Sequence, residues 1–350
     1  MIPRPLTKSL ITQTKPSALL LVLNNASLLL FALVLVIFAA QAPTFFTGNN
    51  LLNILIQSSS TVIVATGMTF VLLTAGVDLS VGAAMFVGAA VCGKLLLGGS
   101  PLPAALAAML GVGIMFGAVN AVLITRLRIV AFIVTLAMLF AGRGFALRIT
   151  ETRAMNLPDV LLQLGAAKII GVPVPVLVFA LVAVAAQIIL SCTSFGRQLY
   201  ALGNNAEAAR KAGVHVRRLT ASVYLISGFC ATLGGIITLT QLGAVGPKFG
   251  ENYEFKAIAA AVLGGTSLFG GRGKVLPGTV LGAVLIQCVE NGLVLLDADP
   301  YLYPLITSAV IFFAVLIDST RNQMLARLSR RRIRHEDLPA RGNDPASTRA

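Results

Sequence analysis

Long apolar runs separated by short polar segments dominate this 350-residue sequence and restrict what it can fold into. Inside a bilayer the backbone N–H and C=O groups can pair only within the protein, so a run of about 20 apolar residues that crosses about 30 Å of hydrocarbon is expected to be helical. The chain is 57% hydrophobic and 11% charged, whereas soluble domains carry roughly 25% charged residues. The sequence therefore predicts an all-α polytopic membrane protein.

About ten transmembrane helices are predicted. The apolar runs lie near residues 21–40, 51–75, 81–97, 102–124, 129–147, 173–191, 219–241, 255–269, 275–296 and 301–317. Two of them, 81–97 and 255–269, are short and rich in Gly and Ala, which favours broken or re-entrant helices. We expect one transmembrane domain over 21–318, a cytoplasmic tail over 1–20 and a basic, disordered cytoplasmic tail over 319–350.

The distribution of Lys and Arg predicts the orientation, because such residues are enriched in cytoplasmic loops. If both termini are cytoplasmic, 20 of the 27 Lys and Arg residues fall on the inside and six on the outside, with Lys94 assigned to neither. The net charge of +14 is concentrated in tails and loops, which indicates contact with membrane lipid and not with nucleic acid.

Two segments interrupted by glycine, 75–83 and 264–279, lie one in each half of the chain. Such a pair is typical of transporters whose halves are related by a pseudo-symmetry and enclose the transport site. A third segment, 195–218, is the longest polar stretch that connects two predicted spans on the cytoplasmic side. There Asn205 can cap a short helix that has Glu207 in its first turn and ends at Gly213. A short cationic helix in this position is suited to docking on a cytoplasmic partner.

Several classes of site are disfavoured by the residues that the sequence lacks. It contains no C-x-x-C pair and only two histidines, neither near a cysteine, so neither a metal site nor a Ser–His hydrolase is predicted. It also contains no G-x-x-x-x-G-K-[ST] motif, so ATP is not expected to bind this chain through a phosphate loop. No cofactor is predicted.

Four motifs, in this order, resemble the ribose/simple-sugar class of ABC importer permeases. They are "GMTFVLLTAGVDLSVGA" (67–83), "FIVTLAMLFAGRG" (132–144), "FGRQLYALGNNAEAARKAGV" (195–214) and "AIAAAVLGGTSLFGGRGKVLPGTVLGA" (257–283). The resemblance implies about ten helices in an inverted pseudo-repeat, and alternating-access import of a monosaccharide across the bacterial inner membrane. It also implies two cytoplasmic ATP-binding subunits, a periplasmic sugar-binding protein, and a second permease copy or paralogue. It does not imply an enzyme.

Other transport functions stay open at this stage. A permease for branched-chain amino acids or nucleosides has a similar architecture, and an ion-driven secondary transporter would need no ATPase. In the family, the cytoplasmic segment after the sixth span docks on the ATPase. That role maps onto Asn204, Asn205, Glu207, Ala208, Ala209, Arg210 and Gly213. Candidate substrate-pathway residues are Asp78, Ser80, Phe132, Thr135, Thr266, Ser267, Glu290 and Asn291.

Asp78 is the sole charged residue between Lys15 and Lys94. An acid inside an apolar segment has a function or a firm partner by default. Three roles fit it: Asp78 or Ser80 caps the helix that begins near Val81, or Asp78 binds sugar hydroxyls, or it anchors a gate or coupling contact.

Two departures from the family pattern, Lys256 and Glu290, lie on the predicted spans 255–269 and 275–296. If these spans form an antiparallel hairpin that turns near Gly271, the two side chains differ in depth by roughly one helical turn. We therefore predict an ion pair between them near the outer face. The alternative is two independent residues, with Lys256 at the interface and Glu290 in the pathway.

Overall fold

The structure is a computed structural model, and it describes residues 26–303, 305–306, 308–309, 312 and 316. Ser27–Val315 form one compact unit. The predicted tails, 1–20 and 319–350, lie outside the described residues. The last predicted span, 301–317, is described only in part.

Twelve α-helices make up most of the described chain. In order they are α1 (Ala26–Gln41), α2 (Gly48–Leu73), α3 (Val81–Leu97), α4 (Leu102–Thr125), α5 (Ala131–Thr150), α6 (Val160–Ala166), α7 (Val174–Cys192), α8 (Ser194–Asn204), α9 (Ala206–Lys211), α10 (Val216–Leu242), α11 (Tyr253–Leu263) and α12 (Val280–Leu295). A π-helical turn, Val275–Thr279, leads into α12, and a 3-10 turn, Pro300–Leu302, follows it.

Among the described residues, six helices are long and apolar enough to cross a membrane. They are α2, α4, α5, α7, α10 and the stretch Val275–Leu295 that contains α12. Two shorter apolar helices, α3 and the Phe31–Gln41 part of α1, add to them. These helices confirm an all-α polytopic membrane protein, because only helices this apolar satisfy their backbone inside lipid.

The predicted span 255–269 is wrong in its extent. Helix α11 ends at Leu263 and is 11 residues long, which is too short to cross about 30 Å of hydrocarbon. The apolar pattern continues to Phe269, but Gly264 and Gly265 interrupt the helix, and Gly265 adopts a φ of +89° that favours glycine. The expectation of a broken helix is therefore confirmed here, but it is wrong for the other short run, 81–97, which forms the continuous helix α3.

Helices α2 and α10 occupy the centre of the unit. In the most apolar part of each helix, 83% of the residues of α2 and 78% of those of α10 are buried, compared with 28% in both α5 and α7. The peripheral helices therefore present apolar side chains outward, as expected of helices that face lipid. The Ser and Thr residues of α2 bond back to carbonyls one turn earlier, as Thr66 does to Val62 and Thr69 to Ala65, both at 2.8 Å. Polar residues are thereby tolerated in the core.

Helices α4 and α10 cross at close range because small residues line the crossing. A Cβ atom at Gly113 would collide with the Gly228 carbonyl, and one at Gly117 with the Tyr224 carbonyl. Gly113 and Gly117 are four residues apart, so they lie on one face of α4. This is the small-xxx-small packing of membrane helices.

The segment between α5 and α7 carries structure that the sequence analysis did not predict. Besides α6, it contributes a two-residue strand, β1 (Met155–Asn156), which pairs antiparallel with β4 (Ala244–Val245) after α10. A second small pair joins β2 (Lys168–Ile169) to β3 (Val172–Pro173).

Helices α11 and α12 form the predicted antiparallel hairpin. A side chain at Gly282 would collide with the Ala260 carbonyl, and one at Gly278 with the Gly264 carbonyl. The two helices therefore run in opposite directions in close contact. The irregular segment 264–274, called here the hairpin tip, connects them and includes Gly271, where the turn was predicted.

Candidate functional site

Asp78 lies in a buried polar cluster between α2 and α3, and its side chain meets residues of α4 and α10. It is 1% exposed. Its Oδ1 accepts from the backbone N–H of Ser80 at 3.0 Å and from the Ser80 hydroxyl at 2.6 Å, and its Oδ2 accepts from the Ser227 hydroxyl at 2.7 Å. Asn120 donates to the Ser80 hydroxyl at 2.8 Å. The carboxylate is thus supplied with donors from inside the protein, as a buried charge requires.

The predicted capping role is only partly matched. Ser80 is the N-cap residue of α3, but its side chain makes no capping hydrogen bond. Asp78 accepts from the N–H of Ser80 itself. A capping side chain normally accepts from the free N–H groups in the first turn of the helix, and Ser80 lies one position before that turn. Asp78 therefore organises the entry to α3 through a local turn and joins it to α4 and α10.

Two candidates on α5 lie in different surroundings. Thr135 is fully buried, and its hydroxyl donates to the Ala131 carbonyl at 2.9 Å and contacts that of Val77 at 3.5 Å. It therefore packs beside the Asp78 segment. Phe132 is 53% exposed and points outward from the described chain.

The hairpin tip holds Thr266 and Ser267. Thr266 is 1% exposed, and a side chain at Gly273 would collide with it. The Ser267 hydroxyl accepts from the backbone N–H of Phe269 at 3.1 Å, and the Ser267 N–H donates to the Arg272 carbonyl at 2.8 Å. The tip is thus held by its own hydrogen bonds.

The coupling segment, residues 195–218, has the local structure that its sequence predicts. The Asn205 side chain accepts from the backbone N–H groups of Glu207 and Ala208, both at 3.0 Å, and so caps α9. Gly213 follows the helix with a φ of +86°. Glu207 pairs with Lys211 at 2.9 Å on the exposed face. The remaining candidates divide between exposed and buried positions: Asn204, Ala208 and Arg210 are exposed, and Ala209 is buried.

The coupling segment packs against the hairpin tip and the end of α2. The Gly271 N–H donates to the Leu73 carbonyl at 3.0 Å, and side chains at Gly203 or Gly271 would collide with Leu73 or Asn204 respectively. The Tyr200 hydroxyl donates to the Gly273 carbonyl at 2.7 Å. Partial burial raises the pKa of this phenol further above neutrality, in keeping with its role as a donor. The two glycine-interrupted segments, one from each half of the chain, thus meet beside α8.

An open cleft of about 990 Å³ borders α11 and α12. Glu290 and Asn291 line it together with Gln57 of α2, Gln287 of α12 and Lys256 of α11. Tyr253 and Phe255 add aromatic surface. Large, mostly apolar clefts with a few convergent polar groups are the usual form of a small-molecule site.

The predicted ion pair between Lys256 and Glu290 is confirmed. The Lys256 Nζ lies 2.7 Å from Oε1 and 2.9 Å from Oε2 of Glu290, and the two side chains are 28% and 27% exposed. The Lys256 ammonium also lies 5.9 Å from the centre of the Tyr253 ring. The position of this pair relative to the outer face stays a prediction.

Two pairs of amides join α2 to α12 beside this ion pair. Asn50 and Asn291 exchange hydrogen bonds in both directions, at 2.9 and 3.0 Å. Gln287 donates to the Gln57 side-chain oxygen at 2.7 Å. The amide of Asn291, a predicted pathway residue, is thus engaged with its neighbour on α2.

A family profile described as "Branched-chain amino acid transport system / permease component" matches residues 50–317. The chain belongs to this permease family. Among its relatives, the ribose import permease protein RbsC of Escherichia coli strain K12 is 38% identical over 304 residues, which cover 85% of this chain and 94% of that relative. The D-allose transport system permease protein AlsC of the same strain is 36% identical, covering 83% and 89%. No solved structure matches the chain significantly.

Further permeases of this family are similar over most of their length. The xylose transport system permease protein XylH of Escherichia coli strain K12 is 32% identical, covering 79% of this chain and 86% of that relative. As a permease, the chain is a transport component and not an enzyme. Together with its apolar helices, family membership makes it a multi-pass protein of the bacterial inner membrane.

The residues that sequence reasoning missed are polar side chains isolated in apolar runs. Asn120 and Ser227 complete the Asp78 cluster, and Gln57 and Gln287 complete the cleft. Each follows or precedes several apolar residues, which is the available signal, because a polar side chain in such a run needs an internal partner. Their partners lie 40 to 230 residues away in sequence, so the pattern alone could not pair them.

Proposed function

We propose that the chain is the membrane-spanning permease of an ATP-driven importer that carries a monosaccharide of the ribose, xylose or galactose type into the bacterial cell. Transport occurs by alternating access: partner subunits bind and hydrolyse ATP, and this shifts the balance between outward- and inward-facing states. The chain itself performs no covalent chemistry. The names of its relatives, which carry ribose, allose or xylose, favour a sugar over an amino acid.

One structural observation supports ATP-driven coupling most directly. The coupling segment has an exposed helix, α9, and its preceding helix, α8, contacts both the hairpin tip and the end of α2. A push on α9 from a cytoplasmic ATPase would therefore reach the segment that carries Asp78 and the helices that border the cleft. Ion-driven transport gives no reason for this arrangement.

The remaining features of the importer are part of the same proposal. It has about ten spans in an inverted pseudo-repeat, with both termini in the cytoplasm. It assembles with cytoplasmic ATP-binding subunits, a periplasmic sugar-binding protein, surrounding lipid and a second permease copy or paralogue. The coupling contacts come from Asn204, Asn205, Glu207, Ala208, Ala209, Arg210 and Gly213.

The substrate pathway is proposed to have two parts. Glu290 and Asn291 belong to the open cleft. The other candidates lie at the entry to α3 and in the hairpin tip, where they hold or gate the inner end of the pathway: Asp78, Ser80, Thr135, Thr266 and Ser267. Phe132 is the remaining candidate, and its side chain points outward from the described chain.

Reversing the charge on α9 tests the coupling role. Glu207→Lys should leave insertion intact, because the side chain is 69% exposed, and should uncouple transport by placing a repulsive charge on the docking surface. Uptake should fall at least about tenfold, together with the ATPase activity that the loaded binding protein stimulates. Both are measured at matched membrane abundance.

A double exchange separates docking from helix stability. Glu207→Lys combined with Lys211→Glu restores the internal pair of α9 but keeps the altered docking surface. If the single variant acts by weakening α9, the double exchange recovers uptake. If docking is at stake, the double variant stays uncoupled. Normal uptake with normal ATPase stimulation in Glu207→Lys would contradict the proposed coupling role.

A further inference from the structure

The Gln57–Gln287 pair differs from the Asn50–Asn291 pair in how fully its hydrogen-bonding groups are used. A primary amide offers two N–H donors and one oxygen that accepts twice. The Asn pair is closed by two reciprocal bonds, and Asn50 also donates to the Phe45 carbonyl at 2.8 Å. The Gln pair has one bond, from Gln287 to Gln57. Both Gln57 N–H donors and the Gln287 oxygen have no other partner among the described residues.

The unused groups are accessible from the cleft. Gln57 is exposed although it lies ten residues into an apolar helix, whereas Gln287 is 8% exposed and reaches the cleft as part of its lining. A hydroxyl group donates one hydrogen bond and accepts others. A sugar hydroxyl can therefore accept from a spare N–H of Gln57 or donate to the spare oxygen of Gln287, on either side of the bond between the two amides.

We propose that Gln57 and Gln287 form a hydrogen-bonding site for sugar hydroxyls in transit, beside the Lys256–Glu290 pair, and that this site selects neutral polyhydroxylated solutes. The proposal rests on the proposed function, and it names residues that determine which solutes pass. It assigns no role in coupling to ATP.

The charges around the site favour a neutral solute. Lys256 and Glu290 compensate each other at 2.7 Å, and Glu251, the other carboxylate on the lining, is exposed. An amino-acid zwitterion would gain little from this pair, because each of its charges would meet an opposite charge together with that charge's compensating partner. A sugar can accept from Lys256 and donate to Glu290 while their contact persists.

The size and the aromatic surface of the cleft fit the same class of solute. A cleft of about 990 Å³ holds a monosaccharide together with water. Tyr253 and Phe255 offer flat apolar faces for the C–H face of a sugar ring. Polar groups fix orientation and aromatic groups supply contact area, as in other small-molecule sites.

The test measures sugar transported per ATP hydrolysed, because a residue of the pathway and a residue of the coupling machinery affect this ratio differently. The complete importer, with its ATPase and binding protein, is reconstituted in proteoliposomes with D-ribose, D-xylose, D-galactose and D-allose as probes. Gln57→Met and Gln287→Met keep the length of the side chain but remove its hydrogen bonds. Each should lower the ratio for the best probe roughly three- to tenfold, with stimulated ATPase activity within about twofold of wild type.

Two further variants keep the result interpretable. In Gln57→Glu the new side chain still accepts from Gln287, so the α2–α12 contact is kept, but the spare donors are lost. This variant should therefore lower the ratio even if Gln57→Met is impaired for another reason, the loss of that contact. Asn53→Leu, on the same helix but outside the cleft lining, is the matched control and should leave the ratio unchanged.

The outcomes separate this proposal from the function on which it rests. An unchanged ratio in all Gln variants, or equal loss of ATPase activity and uptake, would overturn the hydrogen-bonding site and leave the importer intact. A wild-type complex whose ATPase responds to none of the four sugars would instead contradict the proposed function. Loss of discrimination between D-ribose and 2-deoxy-D-ribose in the variants would support the site.

Discussion

Two polar clusters in this apolar chain show how burial separates structural from solute-facing chemistry. At Asp78 the carboxylate is 1% exposed, and its oxygens accept from Ser80 and Ser227. In the cleft, the Lys256 and Glu290 side chains are more than a quarter exposed, and the neighbouring Gln amides have spare donors and acceptors. The Asp78 carboxylate is supplied with donors from inside the protein, and only the side-chain oxygen of Asn120 in this cluster is buried without a partner, whereas the amides of the second cluster border an open cleft.

This difference revises what a lone acid in an apolar segment signifies. An ionised group in a membrane protein is expected to be functional, but at Asp78 the surrounding hydroxyls are already engaged with the carboxylate. A full set of internal partners favours a positioning role, in which Asp78 fixes the entry to α3. The cleft carries less conspicuous residues, Gln57 and Gln287, whose incomplete pairing is the stronger indication of a solute.

Removing the carboxylate at Asp78 should have the largest effect. Asp78→Leu leaves the Ser227 hydroxyl and the Ser80 N–H without their acceptor in a buried site, at a cost of roughly 3 kcal/mol or more. We expect most of the folded permease to be lost, measured as membrane abundance and as the thermal midpoint in detergent. Asp78→Asn keeps one acceptor oxygen, and the Ser227 hydroxyl can turn to accept from the new amide, so much of the function should remain.

Ser227→Ala is the matched control for this prediction. It removes one hydrogen bond and should cost about 1 kcal/mol, between the two Asp78 variants. If Asp78→Asn were as damaging as Asp78→Leu at equal abundance, the negative charge itself would be required. The contrast between the two clusters would then fail.

Exchanging the charges in the cleft should have an intermediate effect. Lys256→Glu and Glu290→Lys each place like charges in contact and should each lower uptake about tenfold, or about 1.4 kcal/mol. The double exchange restores opposite charges and should recover part of the loss, with a coupling energy of roughly 1–3 kcal/mol. Uptake is measured for all three variants at equal expression.

Purely additive losses in the double variant would show that the two residues act separately. In that case Glu290 would have its own role in the pathway, and the 2.7 Å contact would contribute little. The comparison between the Asp78 cluster and the cleft would then rest on Gln57 and Gln287 alone at the cleft.

Local features of the fold could be predicted from the sequence because their causes are local. Apolar runs predict membrane helices, since backbone groups in lipid must pair within the segment. Asn205 and Gly213 predict the ends of α9, because capping and positive φ depend on neighbouring residues. The Lys256–Glu290 pair could be predicted because a hairpin fixes the register between its two arms.

Other features depend on packing between distant segments and could not be predicted. Hydropathy extends the span 255–269 to Phe269, but the conformation of Gly264 and Gly265 ends α11 at Leu263. The cleft depends on Gln57 and Gln287, which are 230 residues apart. The Asp78 turn involves Ser80 nearby in sequence, but its burial requires α4 and α10.

The smallest effect is expected at the exposed pair of Lys94 and Glu151. Their charged atoms are 3.7 Å apart, and the side chains are 49% and 62% exposed, so water and salt screen the attraction. Lys94→Gln should change stability by less than about 0.5 kcal/mol and leave uptake unchanged. Lys256→Gln also removes a positive charge, but in the cleft. There Glu290 is less exposed than Glu151 and loses a closer partner, so uptake should clearly fall. Equal effects of the two variants would show that exposure does not decide the contribution of an ion pair in this protein. Thermal midpoints measured at low and at 1 M salt supply the second test, because the small effect at Lys94 should vanish at high salt whereas that at Lys256 should persist.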